Sequence, residues 1–337
     1  MGIYSTGEDL MNVRKFGSLG PTVSEIGLGC WQLGGDWGDV DEYTAQKVIE
    51  AAVKSGINFY DTADVYGKGR SEELLHKYLK PLAPKAFIAT KLGRFPEPGN
   101  SKNYTFENFR QFTENSLKRL NVDSLDLTQL HCIPAELMES GEVFEWMRIL
   151  QQEGKIKRFG ASVESIVEAH TCLKQEGLAS LQIIFNIFRQ KPVEALFDQA
   201  KSKGVSLIVR LPLASGLLGG RLHPNISFPK NDHRLFNSDG QCFNVGETFA
   251  GIPFNIGLSL VEKLKTLAPE GINLSQMALR WILDFDAVTV VIPGSKSPDQ
   301  VHENASASQL PNLSKSLHTK LNSFYNENIA QHIRGKY

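Results

Sequence analysis

The chain has 337 residues, and its 36 Lys and Arg against 37 Asp and Glu leave a formal net charge of −1. That balance supplies no basic field for nucleic acid or an anionic lipid surface, and no apolar run approaches the ~20 residues of a membrane-spanning helix. Cys30, Cys132, Cys172 and Cys242 are scattered without a C-x-x-C pair, so free, mostly buried thiols are expected, with no disulfide framework and no metal site. The opening MGIYSTGEDLMNVRKFG lacks an apolar signal core. The expectation is a cytoplasmic protein with no nucleic-acid or membrane partner. Residues 1–12 are expected as a flexible extension, with Met11 an alternative start, and residues 13–337 as one domain.

Short apolar runs then alternate with helix-period segments. After a hairpin around KFGSLGPTVS, EIGLGCWQLG predicts a strand and TAQKVIEAAVKSG an amphipathic helix closed by Gly56. INFYDTADV and SEELLHKYL follow, with Ser71 positioned to cap the helix. AFIATKLG with FENFRQFTENSLKRL, LDLTQLHC with GEVFEWMRILQQEG, IKRFGASV with IVEAHTCLKQEG, and LQIIFNIF with PVEALFDQAKSKG make further strand–helix pairs. VSLIVRLPL is the seventh strand and VTVVIPG the eighth, with helices on either side of it.

Strands alternating with helices mean parallel βα units, and eight of them predict a closed (β/α)8 TIM barrel. The strands are apolar at nearly every position, as strands buried on both faces are. The competing doubly wound dinucleotide fold needs G-x-G-x-x-G after its first strand; GLGCWQ puts Gln32 where the third glycine belongs. Residues 214–254, rich in Gly, Asn, Pro and Phe, read as a lid over the barrel mouth.

In such a barrel the C-terminal strand ends face the active site. Strand two, FYDTADVYG, delivers Asp61 and Tyr66; strand three delivers Lys91 and strand four His131. Lys91 interrupts an apolar run, and a buried ammonium needs a partner, for which Asp61 is nearest in this arrangement. An ammonium beside a phenol favours the phenolate and lowers its pKa, so Tyr66 is expected as the proton donor to a carbonyl oxygen. An imidazole can polarise that carbonyl, and hydride from a nicotinamide removes the need for a protein nucleophile. Each residue alone has an ordinary structural reading; their placement at successive strand ends argues for chemistry. Trp31, Trp37 and Phe95 follow strand ends, and Trp31 is the candidate for the substrate pocket. Asp64 has no assigned role.

FYDTADVYG, ATKLG, LH, RFGAS, PLASGLLGG and IPGSKSPDQVHEN occur in the order of aldo-keto reductase motifs, and the chain resembles that family, its bacterial general-reductase type, over residues 13–330. The resemblance implies carbonyl reduction with NADP(H) on a small-molecule aldehyde or ketone, with Asp61, Tyr66, Lys91 and His131 as the catalytic tetrad. It implies that Ser162 and Gln182 hold the nicotinamide carboxamide and that Pro212, Leu213, Ser215, Gly216 and Leu218 wrap the pyrophosphate. Gly294, Ser295, Lys296, Gln300 and Asn304 would meet the adenosine end.

The chain also departs from the family pattern. Val163 stands where many relatives have Asn after the serine of GAS, and Arg210 where many have an aromatic ring on the nicotinamide. Gln300 lies near a position where many carry arginine. No acid before Asp299 is placed to select NAD at the ribose, so NADPH is expected over NADH with Lys296 as the phosphate contact. A sugar or polyol dehydrogenase of the same family, and an NADPH-binding sensor barrel, are the alternative functions.

Overall fold

The computed structural model describes residues 11–18, 20–96 and 99–337. The expected extension falls on residues 1–10, outside that range, and on Asn12, which is anchored: its side chain donates to the Ser308 carbonyl at 2.8 Å. The chain enters through an antiparallel hairpin, β1 (Val13–Lys15) with β2 (Thr22–Ser24).

Among the described residues eight further strands form one sheet, each parallel to the next: β3 (Leu28–Gly29), β4 (Phe59–Asp61), β5 (Phe87–Leu92), β6 (Leu127–His131), β7 (Phe159–Ser162), β8 (Leu178–Ile184), β9 (Ser206–Arg210) and β10 (Val288–Val291). The sheet closes on itself. Gly27 N donates to Val291 O at 2.8 Å and Gly29 N to Pro293 O at 3.0 Å, across two parallel bridges. The fold is a (β/α)8 barrel.

Period-two alternation builds the interior. Phe59, Phe87, Leu127, Ile208 and Val290 form a buried floor with Phe16 and Val23 from the hairpin. The Phe16 ring centroid lies 5.0 Å from that of Phe87 and 6.0 Å from that of Phe59. Two residues further along a strand the side chain returns to the same face. Above Phe59 stands Asp61; above Phe87 stand Ala89 and Lys91; above Leu127 stand Gln129 and His131. The same alternation that packs an apolar base therefore raises polar groups at the other end.

The outer helices start where the sequence supplies caps. Asp41 accepts from Thr44 N at 2.7 Å to open α1 (Glu42–Lys54). After α2 (Arg70–Leu74), Thr105 opens α3 (Phe106–Leu120) at 3.2 Å, each cap satisfying a backbone donor that the first helical turn leaves free. Ser71 does not cap α2. Gly69 holds that position, and Ser71 is buried, donating to Cys30 O at 2.9 Å and accepting from Thr62 Oγ1 at 2.8 Å. The helix then widens into a π-turn over Leu75–Leu79.

LQIIFNIF is not strand throughout. β8 begins at Leu178 and ends at Ile184, and the apolar residues beyond serve helix packing: Phe185 lies 4.9 Å from both Phe197 and Trp281 between ring centroids. Periodicity alone does not separate a buried strand from the buried turn that follows it. The thiols are free; Cys30 and Cys172 are buried, Cys132 partly so, and Cys242 is exposed.

The segment 214–254 crosses the mouth as short helical turns. It is tied to the loop after β3 by an antiparallel bridge between Trp37 and Asp232 and by His233 N donating to Asp36 O at 2.8 Å.

Candidate active site

Strand register fixes the heart of the mouth. Tyr60 pairs with Ile88 and Asp61 with Ala89 between β4 and β5, and Lys91 pairs with Gln129 between β5 and β6. Lys91 Nζ thereby reaches Asp61 Oδ1 at 2.5 Å, the Thr62 carbonyl at 3.0 Å and the Tyr66 hydroxyl at 3.1 Å. With Lys91 1% and Asp61 2% exposed, the pair is desolvated and its three donors are all committed. Asp61 Oδ2 accepts from Gln182 at 2.7 Å and Gln129 at 3.4 Å.

Tyr66 sits in the turn after β4, where its backbone passes so close to Gly34 that a Cβ there would meet Tyr66 C at 2.4 Å. Its ring stacks on Trp31 with centroids 5.9 Å apart and lies edge-on to His131 at 5.8 Å.

The electrostatics correct one expectation. Burial pushes the Tyr66 phenol above its ordinary pKa, and Asp61 and Glu247 add to that rise; together they outweigh Lys91, which pulls the other way. Burial lowers the Lys91 ammonium, yet Asp61 and Tyr66 more than offset it and leave the net shift upward. Burial, then the Arg94, Lys91 and Arg210 cations, hold His131 well below the usual imidazole range. The imidazole is neutral at physiological pH, and its Nδ1 is buried without a hydrogen-bond partner.

These groups open into a cavity of about 370 Å³. It is lined by Asp61, Tyr66 and His131 at one end and continues past Leu211–Ser215 to Gly294, Ser295, Lys296, Gln300 and Asn304. Gln182, Arg210, Pro212, Leu213, Ser215, Gly216 and Trp31 also line it, whereas Ser162 and Leu218 do not. Leu218 is wholly buried in the core, and Ser162 is 1% exposed beside the Cys132 thiol at 3.6 Å. Trp37 joins the lining; Phe95 does not.

The lining fits an elongated nucleotide. Gln32 Oε1, Trp37 Nε1, His131 Nδ1 and Arg210 Nε are buried and unpartnered, and all four residues face the cavity; such orphaned groups await a polar ligand. Ser215 adopts φ 55° and Gly216 φ 97°, and the Ser215 hydroxyl fixes that turn by accepting from Phe249 N at 3.0 Å and donating to Glu247 O at 3.2 Å. At the far end Ser297 caps α9 (Pro298–Ser306), counting α4 (Glu142–Gln152), α5 (Ile166–Leu173), α6 (Phe197–Ser202), α7 (Phe254–Lys265) and α8 (Leu274–Leu283) before it. A helix N-terminus beside a cation suits phosphate. Lys296 Nζ donates to the Trp37 carbonyl.

Sequence reasoning missed an acid at this end. Glu303 lines the cavity, but its carboxylate accepts from Asn273 at 3.0 Å, Ser275 at 2.6 Å and Arg221 at 2.5 Å.

It also missed a charged group beside Tyr66 and His131. Glu247, from the long loop, accepts from Arg94 at 2.7 and 3.2 Å and faces Arg210 at 3.4 Å. Glu164 lies 3.4 Å from Arg94. Burial raises Glu247, but the Arg94 and Arg210 cations pull it down to about 2. Cys132, Glu164 and Glu247 cluster closely enough for a metal, yet the two guanidinium groups occupy these carboxylates. Arg94 follows Lys91 in KLGRF, and its nearness to a strand end was the available signal; nothing local marks Glu247. The two departures from the family pattern meet in space: Arg210 Nη2 donates to the Val163 carbonyl at 3.2 Å. Asp64 is buried behind the site with neither carboxyl oxygen hydrogen-bonded, and burial, then Glu72, push its pKa well up.

The sequence model of the Aldo/keto reductase family matches residues 25–326. The aldo-keto reductase YhdN of Bacillus subtilis is 32% identical over 299 residues, 86% of this chain and 87% of that protein. The aldo-keto reductase yakc [NADP(+)] of Schizosaccharomyces pombe is 27% identical over 303 residues, 87% of this chain and 86% of the other. Among solved structures, a glycerol dehydrogenase of Gluconobacter oxydans superposes with a TM-score of 0.76 at 27% identity, covering 96% of this chain and 98% of that one. Among the described residues no helix is long and apolar enough to cross a membrane.

Proposed function

The chain belongs to the aldo/keto reductase family, whose members are oxidoreductases acting on carbonyl and alcohol groups with nicotinamide cofactors, and from that premise we propose that it reduces small aldehydes and ketones to alcohols with NADPH, Tyr66 giving the proton. The observation that carries this reading is the single ammonium of Lys91 donating at once to Asp61 and to the Tyr66 hydroxyl.

The geometry supports a role for each residue. Asp61 holds Lys91 charged and in place. Lys91, donating to the phenolic oxygen, stabilises negative charge there as the O–H proton leaves. Neutral His131 donates a hydrogen bond to the substrate oxygen and adds no charge of its own. Trp31 packs on the Tyr66 ring and keeps water from it. NADPH held in this cavity would supply the hydride for a carbonyl carbon. Gln182, Arg210, Pro212, Leu213, Ser215 and Gly216 would hold its nicotinamide and pyrophosphate, and Ser295, Lys296, Gln300 and Asn304 its adenosine end. NADPH over NADH is favoured because Lys296 and Arg221 border that end while Glu303 is already engaged; a relative whose printed name carries NADP(+) agrees in kind. The test is NADPH oxidation with a panel of short aldehydes, by wild type and Tyr66→Phe. Turnover by wild type alone is expected. Tight NADPH binding with no turnover of any aldehyde would overturn the reading.

A further inference from the structure

We propose that His233 is a positioning residue that serves two parts of the cavity wall at once, holding Trp31 against Tyr66 through its ring and the Ser215 turn through a ring nitrogen. The inference rests on the reductase reading above for what those two parts bind, and adds a residue that touches neither ligand.

His233 opens a short helical turn, His233–Phe236, on the long loop. Its side chain is wholly buried and does not line the cavity, whereas its neighbours Trp31, Trp37 and Ser215 do. The imidazole centroid lies 4.8 Å from that of Trp31 and 4.4 Å from that of Trp37, and Trp31 in turn stacks on Tyr66. On the polar edge of the ring, Nδ1 lies 3.1 Å from the Asp36 carbonyl and Nε2 lies 3.4 Å from the Ser215 hydroxyl. A carbonyl oxygen only accepts, so Nδ1 carries the proton and Nε2 presents its lone pair to Ser215. Burial brings the imidazole down to about 4, against the Asp36 hydrogen bond and the Asp232 carboxylate, which raise it. At physiological pH the ring therefore has one proton, and this tautomer leaves neither contact repulsive.

The Ser215 hydroxyl proton then has two acceptors, Glu247 O at 3.2 Å and His233 Nε2 at 3.4 Å, while its oxygen accepts from Phe249 N at 3.0 Å. That hydroxyl belongs to the φ 55° turn in the cavity wall. Asp36 completes the link on the other side. Its carbonyl accepts from His233 N at 2.8 Å as well as from Nδ1, and its carboxylate accepts from Trp31 Nε1 at 3.2 Å. Asp36 does this at φ 61°, a left-handed conformation that is unfavourable for a residue with a side chain and persists where surrounding contacts enforce it.

An apolar ring would pack against two tryptophans without burying polar atoms, which cost free energy unless they are hydrogen-bonded. What histidine adds is the pair of nitrogens, and their partners are the backbone of the Trp31 loop and the hydroxyl of the Ser215 turn. In the proposed reaction Trp31 shields Tyr66 only while it stays on that ring, and the turn meets a pyrophosphate only in the conformation its hydroxyl fixes. One side chain thus bears on both proton transfer and cofactor grip.

The experiment separates the two contacts. His233→Phe keeps a ring against Trp31 and Trp37 and removes the nitrogen facing Ser215; His233→Gln keeps an amide in reach of Ser215 and removes the ring. NADPH Kd is measured by fluorescence titration, kcat by NADPH oxidation with the best substrate of the aldehyde panel, and folding by circular dichroism and urea titration. His233→Phe is expected to weaken NADPH binding about three- to tenfold, the scale of one hydrogen bond, with a smaller loss in kcat. His233→Gln is expected to show the reverse split, kcat falling about tenfold or more, as misplacement of a reacting group causes, with a smaller loss of affinity. A histidine that only packs would lower urea stability and leave Kd and kcat of the folded variants at wild-type values, which overturns the inference. Equal losses of both constants in both variants overturn it too. If only one variant folds, its own split decides; if neither folds, His233 is a structural residue and the inference falls. Absence of turnover by wild type with every aldehyde overturns the reductase reading instead, and NADPH affinity in His233→Phe then decides the Ser215 contact by itself.

Discussion

Lys91 Nζ donates to the Tyr66 hydroxyl across 3.1 Å while the same nitrogen is held by Asp61. The phenolic oxygen thus has a cation that cannot turn away. Tyr66→Phe removes only the hydroxyl. Carbonyl reduction should fall by ~10²–10⁴, the range of general acid catalysis, while NADPH binding, followed by fluorescence titration, stays within a few-fold of wild type. Comparable turnover in the variant would assign the proton to another group.

Lys91→Met should abolish most activity and also unfold the protein earlier. It strands Asp61 in a site 2% exposed, and breaking a buried pair from one side costs about 3–5 kcal/mol. Asp61→Asn combined with Lys91→Met removes the stranded charge. Denaturant titration should show that double variant more stable than Lys91→Met alone, with activity still lost. Recovery of activity together with stability would make Lys91 a structural residue.

With Tyr66 as the proposed proton donor, reduction needs the protonated phenol, and the raised Tyr66 pKa keeps it protonated well into alkaline pH. The reductive kcat should therefore be flat through neutrality and decline only in the alkaline range, whereas alcohol oxidation, which needs the phenolate, should rise with pH. His131 is held well below its ordinary 6.5, so no inflection is expected there. A rate profile with a limb near pH 6.5 would contradict a neutral imidazole.

The same shift bears on stability. The folded state keeps His131 neutral while the unfolded chain protonates below about 6.5, so stability should drop as pH falls through that value, by about 1.4 kcal/mol per unit. Glu247, lowered from 4.5 to about 2, contributes stability that is complete above 4.5 and is lost as pH falls toward 2. Urea titrations at successive pH values should show both ranges, and His131→Asn should flatten only the upper one.

Lys296→Ala should reduce the preference for NADPH over NADH about tenfold, the scale of one charge-assisted contact. The wild-type preference should also shrink as salt rises, because a partly exposed ammonium is screened. Michaelis constants for both cofactors at two ionic strengths decide this; a preference left whole in the variant would move the contact to Arg221.

The barrel and the convergence of Asp61, Tyr66, Lys91 and His131 at its mouth were legible in the sequence because each rests on a short-range rule. Alternation along β5 and β6 puts Lys91 and His131 on the face that begins with Phe87 and Leu127, and chain order places the strands side by side. The sign of the Tyr66 shift was not legible, since it depends on how much burial and which carboxylates surround the phenol. Glu247 was hidden for another reason. It reaches Arg94 across 153 positions of sequence separation, and no local pattern marks an acid in a loop as buried. Ser71 misled because a serine before a helical run satisfies the capping pattern, while here its hydroxyl is drawn inward to Cys30 O.

Asp61, Lys91 and His131 are carried on strands, whereas Glu247 arrives on the loop between β9 and α7. A strand residue cannot shift by one position without turning to the opposite face, so those three are locked to the barrel and to one another. The loop has no such constraint; insertions, deletions or exchange of the 214–254 segment alter its course while leaving the strand register untouched. Chimeras that graft this segment between related barrels should therefore inherit the proton-transfer apparatus of the recipient and the substrate preference of the donor, which makes the loop the natural unit for retargeting the enzyme.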